Sequence, residues 1–273
     1  QGFPVHYEVF KGNTFEGNTF LPCILDFKQK HNIKSLTVVA DSAMLSKINM
    51  EKLVENGLNY IIASRLASLK EELINTIDQK LERINGRNIR IDNLIVDYLS
   101  KRYIKDKTEL EKQVNKARMK MNTETEKITN IKYLKNDKAK QYLNQELINK
   151  NTKLLGLKGY VTNLDTKNNK EIIEYYHNLL KIEHAFRIAK SDLEARPIYH
   201  HKEESIKNHM LICFVALTMS VYLEIKNKSS IANIVEKLKS ITDAKILNKI
   251  SKEMILDRVP DCEETKDLEK LSY

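Results

Sequence analysis

The stretch Leu36-Thr37-Val38-Val39-Ala40-Asp41 decides the fold. Its first five residues are apolar or β-branched and do not alternate with polar ones. A run this short, ended by a charge, reads as a strand buried on both faces of a central sheet. Upstream, Phe20 to His31 reads as a helix, with Leu21, Ile24 and Leu25 on one face and Lys28 and Lys30 toward its end. Pro22 is tolerated in its first turn. Downstream, Lys47 to Asn56 reads as a short helix stopped by Gly57, and Leu58 to Ala63 as a second buried strand. Strands and helices in alternation indicate an α/β layer architecture.

Farther out, Val5 to Phe10 has the aromatic and β-branched character of a short strand, between the turns Gly2-Phe3-Pro4 and Gly12-Asn13-Thr14. From about Leu66 to Lys158 the pattern changes. Helical stretches (Leu69 to Ile84, Lys105 to Met121) enclose a β-leaning piece, Ile89 to Tyr98, which is expected to lie in an insertion outside the first sheet. Gly159 to Leu164 returns to strand. Lys170 to Leu193 reads as one helix, because Ile172, Tyr176, Leu179, Ile182, Phe186, Ala189 and Leu193 recur at steps of three and four. Ser205 to Leu223 reads as a buried core helix. Its apolar run, Met210 to Leu223, is short for a bilayer. The tail from Ser230 is expected to hold one or two weaker amphipathic helices. The expected domains are 1–66 and 159–225 as two parts of one core, 67–158 as a basic insertion, and 226–273 as a helical tail.

The chain has 273 residues, 41 % of them hydrophobic, so it can bury a sizeable core. Its three cysteines (Cys23, Cys213, Cys262) form no CxxC pair, which argues for a reducing cytoplasm and against a structural zinc site. The location of the net charge of +9 is informative. Residues 101–158 hold sixteen Lys and Arg against seven Asp and Glu, an excess of nine that equals the excess of the whole chain. Charge so concentrated suits a polyanion, and it also suits a solvated helical face in a Lys-rich chain.

Two acids stand in settings that chemistry uses. Asp41 ends an apolar strand, on the edge where α/β sheets gather reactive groups. A strand-end Asp also serves simply to cap a following helix. Glu183 is expected near the core-facing edge of the 170–193 helix. Arg187 and Lys190 stand four and seven residues on, along roughly one face. An ordinary ion pair with Arg187 accounts for it as well. His184, His200, His201 and His209 show no ligand spacing, and His209 with Cys213 fits a partly buried core pair. There is no phosphate-loop or nucleophile-elbow motif.

The block from Tyr176 to Leu193, continuing through Arg196-Pro197, resembles that of DDE-class insertion-sequence transposases with the signature Tyr-x2-Arg-x3-Glu-x6-Lys. Tyr176, Glu183 and Lys190 fit at the right spacing, and Leu179 stands where the signature has Arg. Gly2 to Thr14 resembles the family's strand and Gly-Asn-Thr turn. Val38 to Ser46 resembles the block that carries its second catalytic Asp, with Ser42-Ala43 where members often have Arg-Gly. The resemblance runs in order from about Gly2 to Glu224.

The resemblance implies a ribonuclease-H-like sheet lacking its first strands, with a large, mostly helical insertion and a helical C-terminal part. It implies DNA transposition, by metal-dependent cleavage and strand transfer at insertion-sequence ends. Asp41 and Glu183 are then catalytic metal ligands for a two-metal Mg2+ site, and Tyr176, Arg187, Lys190 and Arg196 are DNA contacts. The first catalytic Asp has no match, since Glu8 and Glu16 stand in the wrong context. The chain therefore reads as N-terminally truncated and is expected to be inactive alone. The implied partners are double-stranded DNA (transposon ends and target) and a second copy in a homodimer, in the bacterial cytoplasm at the nucleoid. Two readings compete with it: a non-catalytic basic DNA-binding remnant and a generic helical interaction protein.

Overall fold

The structure is a computed structural model that describes residues 2–14, 16–42, 47–121, 131–137, 140–165, 167–240, 243–247, 250, 252 and 254–258. It divides into two compact units, Asn13–His177, and Gln1–Gly12 with Asn178–Tyr273.

The first unit is an α/β layer structure around a five-stranded mixed sheet. Helix α1 (Glu16–Lys30) precedes strand β1 (Thr37–Ala40), helix α2 (Lys47–Glu55) and strand β2 (Asn59–Ser64). β1 and β2 pair in parallel, with Ala40 opposite Ile62. Val38, Ala40, Leu53, Leu58, Tyr60 and Ile62 form their buried core, closed by Phe20, Leu21, Ile24 and Leu25 of α1. The run expected to be buried on both faces is buried on one: Val38 and Ala40 point into the core, Val39 opposite them is half-buried and Thr37 exposed, because β1 is the edge strand of the sheet. Gly57 adopts a φ of 64°, which lets the chain leave α2 and enter β2.

Beyond β2 come helix α3 (Glu71–Lys80), strands β3 (Asn88–Ile91) and β4 (Leu94–Tyr98), and helix α4 (Ser100–Met121). A hairpin of β5 (Leu134–Asp137) and β6 (Lys140–Leu143), helix α5 (Gln145–Lys153), strand β7 (Leu157–Thr162) and helix α6 (Asn169–His177) complete the unit. The order across the sheet is β1-β2-β7-β4-β3. This corrects the expectation that Ile89 to Tyr98 lies outside the first sheet. β7 is antiparallel to β2 on one side and to β4 on the other, and all five residues of β4 are buried. The segment is a strand pair of the main sheet because its partner lies some sixty residues downstream, beyond the reach of local pattern.

In the second unit, helix α7 (Leu179–Arg187) runs into a π turn at Ile188–Asp192, followed by helices α8 (Glu203–Asn227) and α9 (Ile231–Ser240). Ala185, Ile188, Val221 and Ile231 form a buried cluster. The single helix expected over Lys170 to Leu193 is two helices and a turn, divided at Asn178. Val5 to Phe10 is assigned to no strand. The segment is held by side-chain packing instead. Gly2 lies so close to Lys181 that an added Cβ would come within 2.5 Å of the lysine Cβ, and the Tyr7 ring sits 4.7 Å from that of Phe214.

The tail also departs from expectation. After α9, strands β8 (Asp243–Leu247) and β9 (Met254–Arg258) pair antiparallel, so this part is not wholly helical. Helix α8 is not the buried core element expected. Only Ser220 and Val221 are buried on it, while Leu211, Ile212, Val215, Met219 and Tyr222 are exposed. Its 25 residues are long and apolar enough, by length and composition, to cross a membrane. Cys262 lies outside the described residues.

Candidate active site at the strand edge

Asp41 follows directly on β1, so a buried strand delivers its carboxylate to an exposed edge. Oδ1 accepts the Ser42 backbone N–H at 2.5 Å and the Ser42 hydroxyl at 3.2 Å. Neither bond caps a helix. Among the described residues Oδ2 has no hydrogen-bond partner. Among the described residues the carboxylate is thus oriented through one oxygen only.

The parallel pairing brings the end of β2 to the same edge. Arg65, the residue after β2, donates from Nε to the Ser42 hydroxyl at 3.3 Å. A chain Arg65–Ser42–Asp41 results, without an ion pair between Arg65 and Asp41. The backbone of Arg65 is held firmly, because its carbonyl accepts the Ser68 N–H at 2.9 Å and the Ser68 hydroxyl at 2.7 Å. The next residue, Leu66, is buried and lies over Gly159 of β7. A Cβ on Gly159 would come within 2.5 Å of Leu66 Cδ2, so glycine there lets Leu66 pack this closely beneath the turn that presents Arg65.

Arg65 also lines a cleft of about 460 Å³, with Arg102, Gln113, Lys132, Tyr133 and Leu155 among its other walls. Nothing in the sequence singled out Arg65 or the role of Ser42. The signal that finds them is the register of two strands, which local pattern does not carry.

Glu183 belongs to the second unit, on α7. It is exposed, not at the core-facing edge expected, because Ala185 and Ile188 take the buried side of that helix turn. The pair with Arg187 is not formed: among the described residues Glu183 makes no ion pair. Arg187, Lys190 and Arg196 are likewise exposed, with Lys190 carried on the π turn. Beside them His184 Nε2 meets Glu224 Oε2 at 2.6 Å.

Tyr176 lies in the first unit, on α6, and is 9 % exposed. Its ring packs edge-on against Tyr160 at 5.1 Å, with the Lys158 ammonium 4.6 Å from its centre. The structure therefore places Tyr176 in a core, and places Asp41 and Glu183 in different units. His209 and Cys213 are 3.6 Å apart and partly buried, the bland pairing that the sequence favoured.

The basic segment resolves largely onto α4. Lys101, Lys105, Lys112 and Lys116 fall within about 60° of one another around the helix, from the 100° step per residue. All four are exposed, opposite buried Val114 and Ala117. Among the described residues none of the four has an ion-pair partner.

Residues 1–219 match the family model described as a transposase DDE domain. No curated protein and no solved structure matches the chain.

Proposed function

This chain belongs to the transposase DDE-domain family, and we propose that Asp41 and Glu183 are two of the carboxylates with which it holds divalent metal for DNA cleavage and strand transfer at insertion-sequence ends. The family acts on DNA with divalent metal. The observation that carries the assignment is the setting of Asp41: a parallel strand with its Val38 and Ala40 side buried ends in a carboxylate that, among the described residues, is oriented through one oxygen only.

The donor set fits magnesium, which prefers hard carboxylate oxygens. Two such ions, when bound, activate the attacking oxygen and stabilise the leaving one. Asp41 and Glu183 supply anionic oxygens. Arg187, Lys190 and Arg196 are exposed donors on the second unit that hold end-DNA phosphates. Tyr176 anchors α6 through its ring. In this reading the sheet is a variant of the ribonuclease-H-like core, and Asp41 and Glu183 take the second and third acidic places. The family resemblance also implies a homodimer, which sedimentation of the purified chain with and without DNA tests.

The experiment is DNA binding measured with and without Mg2+. The chain is expected to bind more tightly with the metal, and Asp41→Asn or Glu183→Gln should abolish that gain while leaving metal-free binding intact. A metal response unchanged in both variants would sink the assignment. The lysine row on α4 favours a second reading, a basic DNA-binding protein without catalysis. That reading requires salt-sensitive binding indifferent to Asp41→Ala and Glu183→Ala.

A further inference from the structure

We infer that Arg65 is a phosphate-binding residue of the Asp41 site, holding the DNA phosphate nearest that carboxylate with its guanidinium. The inference rests on the reading of Asp41 as a metal ligand and adds to it a residue that neither motif nor composition marked.

Three observations converge. The first is position. Register between β1 and β2 brings Arg65 to the edge where Asp41 emerges, and Ser42 links them by hydrogen bonds of 3.3 Å and 3.2 Å. An arginine this close to a carboxylate would ordinarily form an ion pair with it. Here the shared serine hydroxyl accepts from Arg65 and donates to Asp41, so the two charges are neighbours without neutralising each other. Nε is committed to Ser42, and among the described residues the guanidinium has no carboxylate partner. Its two terminal nitrogens are left for the paired oxygens of an anion, and arginine's planar fork grips phosphate through just such paired N–H groups.

The second observation is preorganisation. Arg65 follows a strand end and begins a one-turn helix at Leu66–Ser68, with its carbonyl held twice by Ser68. Buried Leu66, seated over Gly159, locks the turn from below. A side chain on such a base loses less freedom on binding than one on a loose loop.

The third is the surroundings. The cleft that Arg65 lines also carries Arg102 and Lys132, along with the acids Asp106 and Glu109. Asp106 is engaged by Arg102 at 3.3 Å, and Glu109 accepts from the Gln113 amide at 2.7 Å. The acids in the cleft wall thus have partners of their own, and Arg65 is not called on to neutralise them. Arg65 thus joins this cleft, through Ser42, to the Asp41 carboxylate.

The test compares two short blunt duplexes that carry the inverted repeat flanking the reading frame. They are identical except that one has a neutral methylphosphonate in place of the terminal phosphate. The wild-type chain should bind the neutralised duplex about tenfold to a hundredfold more weakly, the size expected for one charge-assisted contact. Arg65→Ala should bind both duplexes equally, and Arg65→Lys should recover part of the difference. Circular dichroism of Arg65→Ala should match wild type, since only the exposed side chain is removed. A full methylphosphonate effect in Arg65→Ala, or none in the wild-type chain, overturns the inference. The Mg2+ response of Asp41→Asn is read on the unmodified duplex in the same series. If that response persists while Arg65→Ala loses its discrimination, the metal assignment fails and the phosphate contact stands. The reverse pattern removes Arg65 and keeps Asp41.

Discussion

Asp97 on β4 and Lys158 on β7 are register partners in the antiparallel sheet, and the carboxylate so placed is 3 % exposed, with no hydrogen-bond partner for Oδ1. It shares its surroundings with Tyr160, itself fully buried, whose hydroxyl lies 3.5 Å from His177 Nε2. Burial pushes the Asp97 carboxyl up from 3.8 to about 6, against the opposing pull of the Lys158 ammonium. Burial likewise raises the Tyr160 hydroxyl and lowers His177.

A carboxyl raised in the folded state binds its proton more tightly there than in the unfolded chain. Its contribution to stability is complete below 3.8 and is lost as pH rises through about 6. Wild-type protein should therefore lose stability relative to Asp97→Asn between about pH 4 and pH 7, by up to ~3 kcal/mol at ~1.4 kcal/mol per pKa unit. Urea unfolding of both proteins across that range checks it. Parallel stability profiles would show that Asp97 titrates normally.

Gly159→Ala should be destabilising although its backbone conformation is ordinary. The new methyl would meet Leu66 at 2.5 Å and 3.0 Å and the Ser64 Cβ at 3.0 Å. Leu66 has little room to retreat, because it packs with Ile77, Leu81 and Leu157 in a buried cluster. Overpacking of this kind costs roughly 1–3 kcal/mol. The same shift should move the turn that carries Arg65, so DNA affinity should fall along with the melting temperature. A variant as stable as wild type would show that the Leu66 side chain gives way freely.

Glu224 ties three helices of the second unit together. Its side chain is 13 % exposed, Oε2 meets His184 of α7, and Oε1 accepts the backbone N–H of Ile231 at 2.8 Å, at the start of α9. Removing it strands a donor at a helix N-terminus and the imidazole together. Glu224→Ala should destabilise this unit by about 1–3 kcal/mol. Glu224→Gln keeps an acceptor and should lose less. Hydrogen exchange at Ile231 and along α9 measures it, and unchanged protection in the alanine variant would count against the link.

What the sequence disclosed follows the range over which each signal acts. The β1-α2-β2 unit was legible, because apolar runs and a helix-stopping glycine are local. Asp41 was legible for the same reason, since its position depends only on where its own strand ends. The place of β4 was not, because a strand's neighbours depend on residues far along the chain. Arg65 was missed on that account as well. The break at Asn178 escaped notice because the apolar period runs through it without glycine or proline. Asn178 even keeps helical angles, at φ −63° and ψ −17°. Glu183 was placed by that same period, and dividing the helix there changed which side of it was buried.

The row of lysines on α4 makes the clearest prediction about DNA. Lys101 and Lys116 lie fifteen residues apart, a span of about 23 Å at 1.5 Å per residue. A row of that length can follow the phosphates of one strand over roughly two-thirds of a duplex turn, taking about 34 Å per turn. The four side chains project away from Val114 and Ala117, so their replacement should leave the packed face untouched. Each lysine that neutralises a phosphate adds about 0.9 to the slope of log affinity against log salt. Changing all four to alanine should therefore lower that slope by about 3 to 4, with single changes lowering it by about 1 each. The loss should be the same for any duplex sequence, because phosphate contacts position DNA without reading bases. Fluorescence anisotropy with a labelled duplex at several salt concentrations gives the slopes directly. An unchanged slope in the fourfold variant would mean that this face is simply solvated, and would move the search for the DNA path to the cleft beside Arg65.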